Sequence, residues 1–340
     1  MDNGGFVSGA VTDNGEFVVD RNSQQEQTTD KSLLDFVERQ VFHADVIHVL
    51  SEDYCRVAII NYDLWVISRM TSRIIVLKPD GNHVRNVKIH DTSSLCAPCA
   101  SGLLATRYRV TMVTQTLRGD IVASCCGVLQ NNILGFNTSS NKDVGLVMIN
   151  DKGQIQEIIC QGQFNDVTHD SHCVYGLTGG RQHGTPYKVK IFYANDIGSW
   201  IAMNDVTLEA GYEYDRLMVR NSLIYLSIHD YDCSEIHQYN QESVLIGAYG
   251  QNGSSNNAGS LRYAYLCDVD IAGCLLIADW FNDRLQVMDS DKRWYIVNVI
   301  NLVRPYDAVL HCATGITWVV AKDKRTDTPA VFAVYCGPTT

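Results

Sequence analysis

Proline, helical periodicity and long apolar runs are all scarce in this sequence. Its 340 residues include 6 prolines and 25 glycines, a composition that excludes collagen-like and proline-rich disordered chains. No stretch approaches the roughly 18–20 apolar residues of a membrane-spanning helix, so we expect no membrane partner. Since 46% of the residues are hydrophobic and 19% are charged, the chain has enough apolar surface for a large buried core.

The fingerprints of common enzyme families are also missing. The sequence carries no P-loop, dinucleotide-binding glycine motif or Gly-x-Ser-x-Gly nucleophile in a fitting context. Basic residues are outnumbered, because 27 Lys and Arg oppose 38 Asp and Glu, which gives a net charge of -11. Such a chain is not expected to bind phosphates in general, although a local basic face can form. We therefore expect no enzyme activity, no cofactor and no DNA partner.

The 12 cysteines predict reduced thiols rather than a disulfide framework. A chain of this size does not need disulfides to fold, and Cys160, Cys274 and Cys336 lie in apolar, strand-like runs. Cysteine in such runs usually behaves as a small buried hydrophobic residue. This predicts a cytoplasmic protein. Glycosylation sequons at Asn137 and Asn252 leave a secreted protein as the alternative.

Short runs rich in Val, Ile, Leu and Tyr alternate with Gly, Asn, Asp and Ser turns, which predicts an all-β protein. The clearest unit spans residues 263–299 and contains four strand-like runs separated by tight turns. Residues 54–89 repeat this pattern, and a gapless alignment places Arg284 on Arg73. Four short antiparallel strands joined in this way form one blade of a β-propeller.

Weaker copies follow at residues 120–150, 172–208, 215–249 and 304–336. Equivalent strand ends recur about every 40–56 residues, a period that suits four-stranded blades. The sequence therefore predicts a single six-bladed propeller over residues 31–340. We expect residues 1–30 to be a partly flexible segment, in which Phe17-Val18-Val19 offers a strand that closes the ring. Closure removes the exposed sheet edges that promote aggregation.

One unit carries a polar signature as well as the strand pattern. In residues 273–287 an apolar strand ends in Asp279, with Asn282 and Arg284 following. This order resembles the repeat of the NHL family of β-propellers, and the chain resembles the C-terminal domain of tripartite-motif (TRIM-NHL) proteins. The resemblance implies a structural role for the three residues, in which the carboxylate and amide bond turn amides and the arginine pairs with the carboxylate.

The resemblance implies a non-catalytic module that binds a partner protein through one face of the ring, as the substrate-recruiting part of a ubiquitin ligase does. The chain has no RING or B-box array of cysteine and histidine, so ligase activity is not expected of these residues. Loops after the second strand of each blade are expected to share the binding face. The candidate binding residues in these loops are Arg69, Arg73, Arg181, Trp280, Phe281, Lys322, Lys324 and Arg325. Trp280 and Phe281 are of the type that anchors interfaces.

Two alternatives remain open. The basic residues of the same face favour RNA stem-loop binding through phosphate contacts, although interleaved aspartates weaken the positive field. Some propellers resembling this one are metal-dependent lactonases or lyases, whose ligands converge on the channel from several blades. His169, His172 and Cys173 are candidate metal ligands by residue type. Their positions at a turn before a strand direct the side chains apart, so no metal site is expected.

Overall fold

The computed structural model of the protein describes residues 10–11, 17–18, 42–51, 55–68, 73–89, 107–128, 145–171, 173–179, 186–195, 198–228, 234–253, 256–311 and 314–336. Six antiparallel sheets dominate these residues, and we number them blades 1 to 6 in chain order. In the part of the chain that is described, no helix is long and apolar enough to cross a membrane. The predicted all-β, six-bladed propeller is confirmed.

Three strands precede blade 1, and the strands of blades 1 to 3 follow in chain order. The preceding strands are β1 (Ala10–Val11), β2 (Phe17–Val18) and β3 (Phe42–Val49). Blade 1 contains β4 (Cys55–Ile60), β5 (Asp63–Ser68), β6 (Arg73–Leu77) and β7 (His83–Lys88). Blade 2 contains β8 (Arg107–Gln115), β9 (Ile121–Val128), β10 (Gly145–Ile149) and β11 (Ile155–Cys160). Blade 3 contains β12 (Phe164–Asp170), β13 (Cys173–Thr178), β14 (Lys188–Ala194), β15 (Trp200–Ala202) and β16 (Val206–Thr207).

Blades 4 to 6 complete the ring. Blade 4 contains β17 (Tyr214–Arg220), β18 (Leu223–Ile228), β19 (Ile236–Tyr239) and β20 (Leu245–Tyr249), and a parallel pair follows, β21 (Gln251–Asn252) and β22 (Ser260–Leu261). Blade 5 contains β23 (Ala264–Val269), β24 (Leu275–Asp279), β25 (Arg284–Met288) and β26 (Trp294–Val297). Blade 6 contains β27 (Leu302–His311), β28 (Ile316–Asp323) and β29 (Thr328–Cys336), with β3 as its fourth strand.

The ring is closed by β3, which comes from the N-terminal side of blade 1. It pairs antiparallel with β29, from Ala330 opposite Val49 to Cys336 opposite Phe42. Its alternate residues Phe42, Ala44 and Val46 pack against the core between blades 5 and 6, so one face of the strand is apolar. The Phe17–Val18 strand, which was expected to be available for this closure, pairs with β1 instead. Most of residues 1–30 lie outside the described residues, and their flexibility stays a prediction.

The first strand of each blade lies innermost and contacts the first strands of both neighbouring blades, so that β4, β8, β12, β17, β23 and β27 surround a central channel. The sequence unit at 172–208 missed β12, the inner strand of blade 3. We call the end of the channel where the inner strands begin the upper face, and the opposite end the lower face. Ala264 at the start of β23 pairs with Asp279 at the end of β24, so the loops after second strands lie at the upper face.

The hydrophobic core lies between adjacent blades, where the faces of neighbouring sheets pack together. Trp65 fills the space between blades 1 and 2 and Trp318 the space between blades 6 and 1, each with 1% of its surface exposed. Cys267 and Cys274 belong to the core between blades 5 and 6, where burial raises the pKa of both thiols. These two cysteines are thus buried hydrophobic residues, while the cytoplasmic location stays a prediction.

Candidate functional site

Six of the eight predicted binding residues are described, and they lie in or beside the upper-face loops. Arg73 is exposed at the start of β6 in blade 1. The other five lie in blades 5 and 6 and are Trp280, Phe281, Lys322, Lys324 and Arg325. Arg69 and Arg181 lie outside the described residues. The described candidates therefore concentrate at the seam between blades 5 and 6.

An aromatic cluster marks the blade 5 side of this seam. Trp280 and Phe281 belong to a short 3-10 helix, Trp280–Asn282, that follows β24. Their ring centroids are 4.7 Å apart, and both rings contact Tyr263, at 5.1 and 5.2 Å. Trp280 is half-buried against the core, whereas Phe281 is 45% exposed. Phe281 therefore protrudes from a rigid aromatic support.

Basic side chains surround the aromatic cluster. The Arg262 guanidinium lies 5.1 Å from the centroid of the Phe281 ring, which is a cation–π contact. Arg304 is exposed, and its backbone N–H donates to Asp283 Oδ1 at 2.8 Å, which ties blade 6 to the turn of blade 5. Lys324 is likewise exposed, and its backbone N–H donates to the Asn301 carbonyl. These contacts bring three cationic groups to the upper face of the propeller, beside the aromatic cluster.

Acidic residues at the seam partly neutralise this charge. Asp323 forms an ion pair with Arg325 at 3.1 Å, and Lys322 lies 3.7 Å from Asp327. The pairing of Asp323 with Arg325 lowers the pKa of that carboxyl, which therefore stays ionised. With Asp283, the seam holds three carboxylates against the side chains of Arg262, Arg304, Lys322, Lys324 and Arg325. The seam is therefore basic, but its field is weaker than five cations alone would produce.

A small cavity opens in the middle of this surface. It has a volume of about 160 Å³ and lies between Trp280 of blade 5 and residues of blade 6. Its lining, which defines what we call the seam pocket, is Trp280, Arg304, Tyr306, Val320, Ala321, Lys322 and Pro329. Ligand pockets for whole small molecules usually hold about 300–1,000 Å³. The seam pocket therefore suits a single apolar side chain, with Arg304 and Lys322 placed to contact a neighbouring anion.

The Asp279 signature forms a buried network directly behind the aromatic cluster. Asp279 Oδ1 accepts from the Arg262 backbone N–H at 2.8 Å. Its Oδ2 accepts from Asn282 Nδ2 at 2.8 Å, Arg284 Nε at 3.0 Å and Gln286 Nε2 at 2.8 Å. One carboxylate therefore fixes two strands and the loop that presents Phe281. Gln286 is a fourth member that the sequence pattern did not identify.

Blade 1 shows what happens when the carboxylate is replaced. The pairing of Ile67 with Ile74 corresponds to that of Ala278 with Leu285, so Arg73 and Arg284 occupy equivalent positions. Arg284 is buried against Asp279, whereas Arg73, in the blade that has serine at that place, is exposed. The arginine is therefore buried in the blade that has the carboxylate and exposed in the blade that has serine.

The channel core is closed by charged residues from different blades. Arg56 of β4 makes a bidentate ion pair with Asp166 of β12, at 2.7 and 2.9 Å. Asp307 of β27 lies 3.7 Å from Arg56 Nε and 3.5 Å from Arg216 Nη1. The Arg216 guanidinium also lies over the rings of Tyr265 and Tyr306, 5.1 Å from each centroid. We call Arg56, Asp166, Arg216 and Asp307 the channel lock.

Aspartate side chains also accept hydrogen bonds from backbone N–H groups of the inner strands. Oδ2 of Asp166, Asp268 and Asp307 each accepts a backbone N–H from the next blade around the ring, at 2.8–3.0 Å. The donors are, in the same order, Leu217, Leu310 and Val57. The ladder register shifts just before each of the three aspartates, and such bulges re-aim side chains. The signal in the sequence is an aspartate followed by Val or Ala in an apolar first strand.

The channel lock bears on the metal-dependent alternative. Its two carboxylates already contact two guanidinium groups, so they do not form an acidic ligand set for a divalent cation. His169 and Cys173 are not brought together, because the pairing of His169 with Val174 and of Asp170 with Cys173 directs their side chains to opposite faces. His172 lies outside the described residues. No group of three or more His, Cys, Asp or Glu residues in the described ranges has the geometry of a metal site.

No protein-family model matches the chain, and no curated protein matches it in sequence. Solved structures do match it. A protein proposed to be a gluconolactonase has a TM-score of 0.57 at 11% identity, covering 90% of this chain and 96% of that one. A Bacteroides thetaiotaomicron protein of unknown function has a TM-score of 0.54 at 12% identity, covering 86% and 76%. Kuenenia stuttgartiensis hydrazine synthase has a TM-score of 0.53 at 10% identity, covering 81% and 82%.

Identities this low establish a shared fold and nothing about activity. The propeller part of the sequence resemblance is therefore confirmed, while membership of the NHL family and the relation to TRIM proteins stay predictions. The chain is similar in fold to enzymes and to proteins of unknown function alike. It is a six-bladed β-propeller.

Proposed function

We propose that this protein is a recognition module that binds a short acidic segment of a partner protein at the seam pocket. The observation that carries the proposal is the exposed Phe281 beside a pocket lined by Trp280, Arg304 and Lys322. If the family resemblance holds, the bound segment belongs to a substrate that the propeller recruits. The proposal needs no catalytic step within this chain.

The aromatic residues supply an anchor. Binding energy at protein interfaces concentrates in a few residues, with Trp, Tyr and Arg enriched among them. The Asp279 network holds the loop of Phe281 in place before a partner arrives, so little side-chain entropy is lost on binding. One apolar side chain of the partner segment fits the seam pocket, and the backbone of that segment then lies against Phe281.

The basic side chains around the seam pocket favour an acidic peptide segment. Arg262, Arg304 and Lys324 are exposed around the pocket, so carboxylates before or after the apolar residue gain favourable contacts. The same geometry is less favourable for RNA. Asp283, Asp323 and Asp327 lie among the basic side chains, and a phosphate backbone would have to pass these carboxylates.

The test is a selection of random 12-residue peptides displayed on phage against the immobilised full chain. The pool is depleted on the Phe281→Ser variant between rounds, so that only peptides that need the seam survive. We expect enriched sequences to share one apolar residue flanked by Asp or Glu. A parallel incubation with a random RNA stem-loop pool at two salt concentrations supplies the competing outcome.

Two results would overturn the proposal. One is the absence of any enriched peptide family after depletion. The other is selective RNA binding that falls steeply with salt and is lost in Arg304→Ala, which would place the protein among RNA-binding propellers.

A further inference from the structure

A larger cavity lies at the lower face, on the opposite face of the propeller from the seam pocket. It has a volume of about 450 Å³ and is lined by the last residues of the inner strands of all six blades. Each blade contributes; in ring order, one residue from each is Ala58, Thr114, His169, Arg220, Asp268 and His311. This volume falls within the range of small-molecule pockets. We call it the channel cavity.

The channel lock borders the upper end of this cavity. Val57 and Val167, which line the cavity, directly follow Arg56 and Asp166 on the same strands. The side chains of the four lock residues are at most 2% exposed. The cavity opens at the lower face, where Tyr62 and Ile271 form an exposed rim.

One side of the cavity is basic. Nδ1 of His169 lies 2.7 Å from Thr114 Oγ1, so Nε2 is the ring nitrogen that Thr114 does not engage. Burial lowers the pKa of His169, so its imidazole stays neutral near pH 7. Arg220 of the neighbouring blade also lines the cavity. A carboxylate bound there can form a charge-assisted hydrogen bond with its guanidinium group.

Another side of the cavity is acidic. Asp268 and Asp270 of blade 5 line it beside His311 of blade 6. Each oxygen of Asp268 accepts one backbone N–H, from Val269 and Leu310, and a carboxylate oxygen can accept a further hydrogen bond. An ammonium group that reaches Asp268 and Asp270 gains a charge-assisted contact on this side.

We propose that the channel cavity binds a zwitterionic small molecule of amino-acid to dipeptide size. Its carboxylate contacts Arg220 and His169, its ammonium contacts Asp268 and Asp270, and its apolar part lies against residues such as Met112 and Met218. The basic and acidic sides are contributed by different blades, so one molecule that carries both charges satisfies both. This binding is separate from partner recognition, because the two sites lie on opposite faces of the propeller.

The test measures binding of the twenty free amino acids and a set of dipeptides to the full chain, by thermal shift and then by calorimetry. The strongest binder is compared with its N-acetylated and its C-amidated form. We expect each blocked form to bind at least tenfold more weakly, because each lacks one charge. Arg220→Met is expected to weaken binding of the unblocked form at least tenfold.

The controls keep this result separate from folding and from the seam pocket. Arg118→Met changes an exposed arginine of the lower face that does not line the cavity, and Phe281→Ser changes the upper face. Both are expected to bind the zwitterion as the wild type does. The proposal is overturned if no zwitterion binds, if the blocked forms bind equally well, or if Arg220→Met and Asp268→Asn both retain full affinity.

Discussion

The guanidinium group of Arg56 is buried away from water, and two neighbouring carboxylates stabilise its charge. It is 2% exposed and contacts two carboxylates from blades that are far apart in sequence. Placing a charge inside a protein is expensive, so a buried ion pair adds little net stability compared with apolar residues. Removing one partner is different, since it leaves the other charge buried and uncompensated. The channel lock is therefore a point where single substitutions are costly.

We expect Arg56→Met to lower the free energy of unfolding by about 3–5 kcal/mol, because Asp166 and Asp307 lose their shared partner. Urea denaturation followed by tryptophan fluorescence measures this change. Arg85→Met is the matched control, since Arg85 pairs with Asp151 through two side chains that are 38% and 55% exposed. Exposed pairs contribute about 0–1 kcal/mol. Equal losses in the two variants would contradict the role of the channel lock.

The raised pKa of Asp268 leads us to expect that the stability of the protein depends on pH. Burial raises the pKa of its carboxyl to about 6, whereas the unfolded chain has a value near 4. The folded state therefore binds a proton at Asp268 more tightly than the unfolded chain does. The stability gained in this way is fully present below about pH 4 and is lost as the pH rises through 6. We expect the stability of the wild type to fall relative to Asp268→Asn by on the order of 2 kcal/mol between pH 4 and 6. Parallel unfolding curves at the two pH values would argue against a buried carboxyl.

At the scale of the strand, ring closure depends on β3. This strand supplies the fourth position of blade 6 and covers the edge of β29, which would otherwise offer unpaired backbone groups to other chains. Its apolar face adds Phe42, Ala44 and Val46 to the core of blades 5 and 6. A strand from before blade 1 and the last described strand are thus held together within one sheet.

Two truncations separate β3 from the segment before it. Removing residues 1–41 leaves β3 in place and is expected to change the melting temperature by only a few degrees. Removing residues 1–49 deletes the strand, and we expect a large loss of stability together with aggregation through β29. Calorimetry and light scattering follow both effects. A similar loss in both truncations would mean that residues before β3 close the ring.

The sequence predicts the blades better than it predicts how they are joined. Alternating apolar runs and glycine or asparagine turns indicate most strands of the blades, as in residues 263–299, because side-chain period and turn chemistry are local properties. The closing strand β3 was missed because its pairing with β29 spans almost the whole chain. The Phe17–Val18 strand looked equally suitable in isolation.

The candidate sites, too, could be predicted only where their residues lie close together in the sequence. Trp280, Phe281 and Asp279 could be found because they lie within one turn of one repeat. Arg56 and Asp166 could not, since 110 residues separate two groups that the ring brings into contact. The channel cavity is the extreme case, because all six blades contribute to it. Isolated charges within apolar first strands are the only local indication of either feature.

At the scale of the whole molecule, the propeller presents two different faces. The upper face carries the seam pocket with its aromatic and basic rim, and the lower face opens into the channel cavity. The two sites lie on opposite faces, which allows a macromolecule on one face and a small molecule on the other to bind independently. We expect no competition between the two ligands.

The most direct measurement of the central claim is the affinity of a selected acidic peptide for the wild type, for Phe281→Ser and for Leu117→Ser. Leu117 is 72% exposed on the lower face, so its replacement removes a comparable apolar surface away from the seam pocket. We predict that Phe281→Ser weakens binding at least tenfold, because a central anchor is typically worth about 2 kcal/mol or more, and that Leu117→Ser leaves the affinity unchanged. Equal affinities for all three proteins, or a loss confined to Leu117→Ser, would contradict recognition at the seam.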